Sequence, residues 1–237
     1  MRFSTTFLSG LILASLSVLE AREPTEIEQF YLELVNRARA NPGAEVTRLA
    51  GFPWGDDGSP ATADLNEGLS PGTITNSTKQ PLAFDPFLID AASDYSDFLL
   101  ASEKFGHNEN GTSRSRIEAA GYPIGPGSGW GENLATTTST GTHLVSQARA
   151  EQHHRNLFID FDYPGRGHRK SILNGSYREI GIAIREDLDG QSLFPPPFGN
   201  DVLSTQNFAY SSGRIFLTGV IYYDGNSDSF FTPGESA

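Results

Sequence analysis

The order of secondary-structure signals along the chain constrains its fold more than any other sequence feature. Helical patterns, with apolar residues at i, i+3 and i+4 spacing, come first, and alternating strand patterns come last. One short strand pattern, near Glu132–Thr138, lies between the helices. Segregated helices and strands favour the α+β class, so we predict a small antiparallel sheet with helices packed on it.

Capping residues, proline and glycine give the boundaries of the predicted helices. Thr25 and Glu28 form a capping box, and Asp85-Pro86 places a capping acid before a proline in the first turn. We predict a first helix from Thr25 to Asn41-Pro42, a second from Pro42 to Leu49 and a third from Asp85-Pro86 to about Lys104. A short helix capped by Ser113 or Ser115 should stop at Gly121. Two more helices should run from about 142 to 158 and through Ile172 and Leu173.

The later strands and the irregular segments follow from alternation and from turn residues. The predicted later strands are Glu179–Ile184, Val202–Tyr210 and Arg214–Tyr223, the last two joined by a hairpin connector of three residues, Ser211 to Gly213. Residues 51–80 hold many glycines and prolines and little periodicity, so we interpret them as a long loop or insertion.

Composition limits the classes of protein and of site. The 237 residues suit one domain with extensions, and 37% hydrophobic with 19% charged residues indicates a globular chain. There is no cysteine, which excludes disulfides and thiolate chemistry and leaves zinc with His and carboxylate ligands. The net charge of −12 argues against binding of nucleic acid through its phosphates.

The N-terminal 21 residues have the pattern of a secretory signal peptide. Arg2 supplies the positive charge, Phe7–Leu19 is apolar but too short to span a bilayer, and Ala21 is a plausible last residue. No other stretch has the length and apolarity of a membrane helix. We therefore expect the mature chain to be exported, to the extracellular space or the cell envelope, and not embedded in a membrane.

Four polar residues stand in short glycine-containing contexts near predicted element ends. They are His107 in Gly-His-Asn, Glu132 in Gly-Glu-Asn, His168 in Gly-His-Arg and Glu179 in Glu-Ile-Gly. Such junctions direct side chains into a cleft. Two imidazoles and two carboxylates suit a divalent metal, general acid/base work, or both.

These contexts carry a family resemblance. The stretches that carry it are Phe105–Asn108, Gly131–Ala135, Gly165–Asn174, Glu179–Ala183 and, in the first helix, Leu34–Arg39. Together they resemble the bacterial branch of the CAP superfamily, which comprises cysteine-rich secretory proteins, antigen 5 and plant pathogenesis-related proteins. The resemblance extends from about Glu26 to about Tyr223.

The resemblance implies a fold and a site. The fold would be a three-layer α-β-α sandwich with a central antiparallel sheet, and the CAP domain would occupy residues 22–223. The implied cleft is lined by a tetrad of His107, Glu132, His168 and Glu179, and in several members the two histidines bind a divalent metal, often zinc. This chain departs from a compact member in its 51–80 insertion and in the acidic segment before His168, which contains Asp160 and Asp162.

The chemistry of the tetrad leaves several roles open. Two imidazoles give zinc at most two protein nitrogens, so the site would be open and completed by water or carboxylate. Glu132 or Glu179 could act as a general base on that water, or could orient an imidazole through its other nitrogen. The adjacent His153 and His154 point about 100° apart on a helix, which favours a structural or surface role.

The C-terminal residues 224–237 carry a second metal signal. Asp224, Asn226 and Asp228 fall at positions 1, 3 and 5 of an EF-hand-like loop, Phe230 at position 7 and Glu235 at position 12. Ser229 stands at position 6, where glycine is expected, and no helix flanks the loop. We predict a Ca²⁺ loop; the alternative is a solvated polar tail. The chain ends soon afterwards, so it could be a fragment of a longer protein.

Three functions remain open. The first is a secreted binding domain that holds a divalent cation and a small-molecule, lipid-like or peptide ligand in the cleft. The second is a metal-dependent hydrolase, a peptidase or esterase, with Glu132 or Glu179 as base. The third is an extracellular structural or adhesion module that calcium stiffens.

Overall fold

The computed structural model describes residues 22–51, 53–54, 59–60, 62–141, 144–187, 189, 191–194, 199–211 and 214–235, with the backbone alone at 53–54 and 59–60. The predicted signal peptide, residues 1–21, lies outside the described residues. In the ranges given, no helix combines the length and the apolar character needed to cross a membrane.

The helices confirm most of the predicted boundaries. They are α1 (Glu26–Ala40), α2 (Pro42–Leu49), α3 (Pro86–Ser102), α4 (Ser113–Ala119), α5 (Gln147–Ile159) and α6 (Gly167–Ile172). Thr25 and Glu28 form the capping box in full at α1, and Asp85 caps α3. The predicted cap of α4, Ser113 or Ser115, is wrong, because the Thr112 side chain accepts the Ser115 backbone N–H and caps the helix. The predicted start of α5 near residue 142 is wrong, because the Ser146 side chain accepts the Arg149 backbone N–H and begins the helix there.

The strands form one main sheet and one small pair. They are β1 (Pro53–Trp54), β2 (Ser59–Pro60), β3 (Ala83–Phe84), β4 (Gly129–Ser139), β5 (Glu179–Asp187) and β6 (Asn200–Tyr210). The main sheet has the order β3-β5-β6-β4. Its three long strands are antiparallel, as predicted, and the two-residue β3 adds a parallel pair with β5. The β1–β2 pair lies within the segment that was predicted to be a loop.

The predicted strand Arg214–Tyr223 is wrong. In the described part of that segment only Tyr222 makes a bridge, and Ile215, Leu217 and Ile221 are 98%, 104% and 88% exposed. A hairpin partner would have to pair with β6. Both edges of β6 are already used by β4 and β5, so no edge remains for it.

Alternation along β5 defines three layers. Ile180, Ile182 and Ile184 are buried in the core that α1 and α5 share with the sheet. Gly181 faces the opposite side, where α3 lies so close that a Cβ atom on Gly181 would be 2.0 Å from the backbone carbon of Leu88. Helices α3 and α4 thus cover one face and α1, α2, α5 and α6 the other, which confirms the α-β-α sandwich.

Arg39 shows how the irregular segments are attached to this core. The side chain is fully buried on α1. Its guanidinium donates to four backbone carbonyl oxygens, at distances of 2.7–3.2 Å: Gln80, Ile172, Asn174 and Tyr177. Burial, together with the charge of Arg178, lowers the pKa of Arg39 to about 10. One side chain therefore joins the segment before β3 to the segment between α6 and β5.

His153 and His154 are buried, which agrees with a structural role. His153 bridges the sheet, with Nδ1 2.9 Å from Ser204 Oγ and Nε2 3.0 Å from Thr137 Oγ1. His154 Nε2 lies 2.9 Å from Oε1 of the buried Glu45. Burial lowers the pKa of His153 to about 3, with a smaller effect from Arg149, and burial also lowers the pKa of His154.

We predict that His153 makes the fold acid-sensitive. The unfolded-state pKa of histidine is about 6.5. The folded-state pKa is lower, so the unfolded chain takes up the proton first and stability falls as the pH drops below about 6.5. The loss is at most about 1.4 kcal/mol per pH unit for each such histidine. Urea unfolding at pH 7, 6 and 5 measures it.

The matched variant is His153→Gln, which retains a hydrogen-bonding group without a titrating ring. We expect this variant to be less stable at pH 7 and to lose less stability between pH 6.5 and pH 5, with His154 causing the remaining slope. An unchanged slope in His153→Gln would show that His153 is not the acid-sensitive group.

Candidate functional site

The candidate site is built on β4, at the edge of the sheet. Glu132 pairs with Asn207 on β6, which pairs with Gly181, so Glu132 points to the face covered by α3 and α4. The next residue, Asn133, points to the other face, where its amide donates to the backbone oxygen of His168 at 3.3 Å. Two neighbouring residues therefore contact both helical layers.

Glu132 holds His107 on the face of the sheet that α3 and α4 cover. The His107 Nδ1 atom lies 2.9 Å from Glu132 Oε1, and Arg116 donates to Glu132 Oε2 at 2.6 Å. The Glu132 side chain is 2% exposed and the His107 side chain 40% exposed. The carboxylate is thus buried and neutralised by Arg116, while the imidazole is open to solvent.

Arg116 and Tyr95 fix the loop that carries His107. The Arg116 guanidinium donates to the backbone oxygens of His107 at 3.1 Å and of Gly111 at 2.6 Å. It also lies over the Tyr95 ring, 3.3 Å from the centroid. The Tyr95 hydroxyl donates to the backbone oxygen of Gly106, next to the histidine. Helices α3 and α4 therefore together fix the backbone that carries the imidazole.

Asp160 holds His168 on the opposite face, which α5 and α6 cover. Asp160 ends α5 in a left-handed conformation, and its side chain is 2% exposed. Its carboxylate accepts from His168 Nδ1 at 2.7 Å and from the backbone N–H groups of His168 at 2.8 Å and Arg169 at 3.2 Å. The same side chain thus orients the imidazole and satisfies the first turn of α6.

The two imidazoles meet beside β4. Their ring centroids are 6.5 Å apart and their planes differ by 29°. The Tyr163 ring lies 4.4 Å from the His168 ring and covers one side of it. A carboxylate can only accept a hydrogen bond, so each Nδ1 carries a proton and each Nε2 of a neutral ring keeps a lone pair. No described residue hydrogen-bonds either Nε2 atom.

Glu179 lies away from the histidines. It is on the same face of the sheet as Glu132, two strands across and two residues along, which separates the two Cα atoms by about 12 Å. Tyr122 donates to Glu179 Oε2 at 2.5 Å, and Arg214 donates to Oε1 at 2.6 Å. Burial raises the pKa of the neighbouring Asp85, and Glu179 adds to the rise. The structure thus brings His107, Glu132 and His168 together and leaves Glu179 in a separate buried cluster.

The family follows from a comparison with known domains. Residues 32–208 match the model of the family described as CAP, cysteine-rich secretory protein family. The chain belongs to the CAP family. The match covers well over half of the sequence and includes all four tetrad positions. A search of curated proteins found no match for this CAP protein.

Several solved structures are similar to this CAP protein at low identity. One is an extracellular protein containing an SCP domain from Bacillus anthracis, with 21% identity and a TM-score of 0.38 over 56% of this chain and 35% of that one. A second is NaASP2 with Zn²⁺, with 14% identity and a TM-score of 0.43 over 77% of this chain and 80% of that one. A third is an outer surface protein from Borrelia burgdorferi, with 17% identity and a TM-score of 0.40 over 56% of this chain and 80% of that one. The chain spans about a third of the length of the Bacillus anthracis protein.

Two residues of the site were not found by sequence reasoning. Asp160 was noted only as part of an acidic segment, and Arg116 was not noted at all. Asp160 lies eight residues before His168 and is in a left-handed turn, and Arg116 lies sixteen residues before Glu132, so neither pairing follows a helix or strand period. A positive φ angle at a non-glycine residue is a signal of a special role, but it is visible only in the structure.

The C-terminal loop folds around its own predicted ligands. Asp224 accepts the backbone N–H groups of Asp228 and Ser229, each at 3.1 Å, and Glu235 accepts those of Gly225 at 3.0 Å and Thr232 at 2.9 Å. Ser229 adopts φ 59°, so it takes the left-handed conformation for which an EF-hand loop uses glycine. The two Thr232 hydrogen bonds lower the pKa of Glu235, which favours its ionised form.

In the described ranges, no three His, Cys, Asp or Glu side chains form a group that could hold a metal ion. At the β4 edge the candidate donor atoms are the Nε2 atoms of His107 and His168, whose Nδ1 atoms face carboxylates. That absence includes Asp224, Asp228 and Glu235 of the C-terminal loop, whose other predicted ligands, the Asn226 amide and the Phe230 backbone oxygen, are outside that set of groups.

Proposed function

We propose that this CAP protein is an exported binding domain that holds a divalent cation between His107 and His168. The observation that carries the proposal is the pairing of each Nδ1 with a buried carboxylate, Glu132 on one ring and Asp160 on the other. A carboxylate on the far nitrogen fixes the tautomer and raises the basicity of a ligating imidazole. Both Nε2 atoms are left as metal donors.

The spacing of the rings supports a shared ion. Two Zn–N bonds of about 2.1 Å separate two ligating nitrogens by at most about 4.2 Å. Ring centroids 6.5 Å apart allow that span when both Nε2 atoms point to the midpoint. The exposed His107 ring is free to make the adjustment, since only its Nδ1 is held.

An ion with two protein ligands keeps open coordination positions. Water fills them at rest, and a ligand with an oxygen or nitrogen donor replaces the water. We propose that the ligand is a small-molecule, lipid-like or peptide group that enters beside the exposed His107 and the half-exposed Tyr163.

The hydrolase alternative has less support. A general base needs a carboxylate that can take a proton from water. Both oxygens of Glu132 are engaged, by His107 and by the cationic Arg116, and both oxygens of Glu179 are engaged by Tyr122 and Arg214. Each carboxylate is therefore better suited to orient a neighbour than to activate a water molecule.

We predict that the wild-type chain binds zinc and that His107→Ala with His168→Ala abolishes this binding. Asp160→Asn should weaken it by about 10–100-fold, because the imidazole loses the carboxylate that orients it. Zinc titration followed by metal analysis of the dialysed protein measures both effects.

The control is Glu118→Gln, which removes one negative charge from the surface of α4, where the described partner of Glu118 is Arg114. It should bind zinc as the wild type does. Unchanged zinc content in the double histidine variant would refute the proposal. Metal-dependent turnover of peptide or ester substrates that Glu132→Gln abolishes would favour the hydrolase instead.

Export is part of this proposal and has its own test. Its support is the signal-peptide pattern of residues 1–21 and the presence of extracellular and outer surface proteins among the matched structures. We expect the exported protein to begin at residue 22, which N-terminal sequencing would establish. An N-terminus that retains Met1 would contradict it.

We propose a second function for the C-terminal loop, the binding of Ca²⁺ by Asp224, Asn226, Asp228, Phe230 and Glu235. The observation that favours it is the attachment of the loop to the domain. Phe231 is 3% exposed in the main core, and the Phe230 ring lies 6.0 Å from the Phe30 ring of α1. An ion that orders this loop would therefore stabilise the CAP domain.

We predict that calcium raises the melting temperature. Extracellular loops of this kind bind Ca²⁺ with Kd values of about 10⁻⁴–10⁻³ M. Millimolar calcium should then raise Tm by about 2–6 °C relative to EDTA, because only the folded loop binds the ion. Differential scanning calorimetry measures the shift.

Glu235→Gln should abolish the calcium shift, and Glu151→Gln on the exposed surface of α5 should retain it. If calcium leaves Tm of the wild type unchanged, the loop is a solvated tail, and the structural or adhesion module loses its support.

A further inference from the structure

A groove between residues 73–80 and the segment from Lys170 to Arg178 carries positive charge. The net charge of the whole chain is −12. The volume of the groove is about 580 Å³, and Lys79, Lys170 and Arg178 line it. Among its described lining residues none is acidic. The buried Arg39 lies beneath it, since its guanidinium binds the backbone oxygens of two residues that border the groove, Gln80 and Asn174.

These four cations differ from most other cations of the chain. Ten of the described arginines and lysines have a side-chain nitrogen within 4.0 Å of an Asp or Glu oxygen. No such pair involves Arg39, Lys79, Lys170 or Arg178 among the residues described. Four uncompensated positive charges therefore meet at one place on an acidic protein.

The charges are close enough to act on one another. Burial lowers the pKa of Lys79, and the charge of Arg39 adds to the effect. The charge of Arg178 acts on Arg39 in the same direction. Mutual repulsion of this kind is relieved when an anion occupies the space between the cations.

Several hydrogen-bond donors of these cations have no described acceptor. The Lys79 ammonium donates to the backbone oxygens of Thr75 and Ser77 and keeps a third N–H. Arg178 uses Nη1 for the backbone oxygens of Gly175 and Tyr177, and no described residue accepts from its Nε or Nη2. Lys170 is exposed, and its ammonium group donates to no described residue.

We infer that this groove binds a phosphate group through Lys79, Lys170 and Arg178. A phosphate carries up to two negative charges and three or more acceptor oxygens, which suits several cations with free donors. A single carboxylate would satisfy fewer of them. Neither His107 nor His168 is among the described residues that line the groove, so phosphate binding does not require the proposed metal.

A purely structural role would make a different prediction. Lys79 and Arg178 hold backbone oxygens and contribute to the shape of the groove, whereas the Lys170 ammonium group contacts no described acceptor. Lys170→Gln should therefore leave Tm unchanged. It should also weaken phosphate binding by about tenfold or more, the effect of losing a charge-assisted hydrogen bond.

The experiment is titration calorimetry of the full chain with inorganic phosphate at low ionic strength. Wild type, Lys170→Gln and Lys79→Gln are compared with Arg149→Gln, which removes one positive charge from α5, away from the residues that line the groove. We expect saturable binding by wild type and Arg149→Gln, and binding weakened by about tenfold or more in the two lysine variants. Equal affinity in all four proteins, or no saturable binding by wild type, would overturn the proposal.

A second arm separates the two sources of a phosphate group. Vesicles of phosphatidylcholine with added phosphatidylglycerol are compared with vesicles of phosphatidylcholine alone. Binding of the protein to the anionic vesicles would support a lipid headgroup if both inorganic phosphate and the Lys170→Gln substitution abolish it. Saturable phosphate binding without vesicle retention would support a free phosphate or a soluble phosphate ester.

Discussion

The alternation of side chains along β4 is the constraint on which the candidate site depends. Glu132 and Asn133 are neighbours in sequence and point to opposite faces of the sheet. The first reaches the layer that carries His107, and the second reaches the layer that carries His168. Because β4 is an edge strand, the two loops can meet beside it without a third strand between them. A one-residue change of register would exchange the two faces and separate the imidazoles from their partners.

Buried charges position this site more than apolar packing does. Glu132 is balanced by Arg116, which at the same time binds the backbone of the His107 loop. Asp160 is balanced by backbone N–H groups at the start of α6 and by the His168 ring. A buried carboxylate needs such partners, because its desolvation is otherwise too costly. The same groups that compensate the charge therefore fix the histidine orientation.

Much of the fold could be predicted from local chemistry. Capping residues gave the start of α1 and α3, and the alternation of isoleucines gave β5. The segment after β6 could not be predicted in this way. Its alternating apolar residues are typical of a strand, but both edges of β6 are occupied, and sequence alternation carries no information about which edges remain. The His107, Glu132 and His168 part of the site followed from the motifs, whereas Asp160 and Arg116 became recognisable only through their contacts.

The sequence by itself determined the fold class, the family resemblance and the residue types available to a metal, because these depend on composition, short-range periodicity and fixed motifs. The tertiary structure decided which of the four tetrad residues share a site. Glu179 occupies the predicted strand but lies two strands from Glu132, and Tyr122 and Arg214 engage its carboxylate. The tertiary structure also decided that Lys79 lines one groove with Lys170 and Arg178, which come from a segment about 90 residues later. Distances between remote residues depend on how the layers pack, and local sequence patterns do not specify that packing.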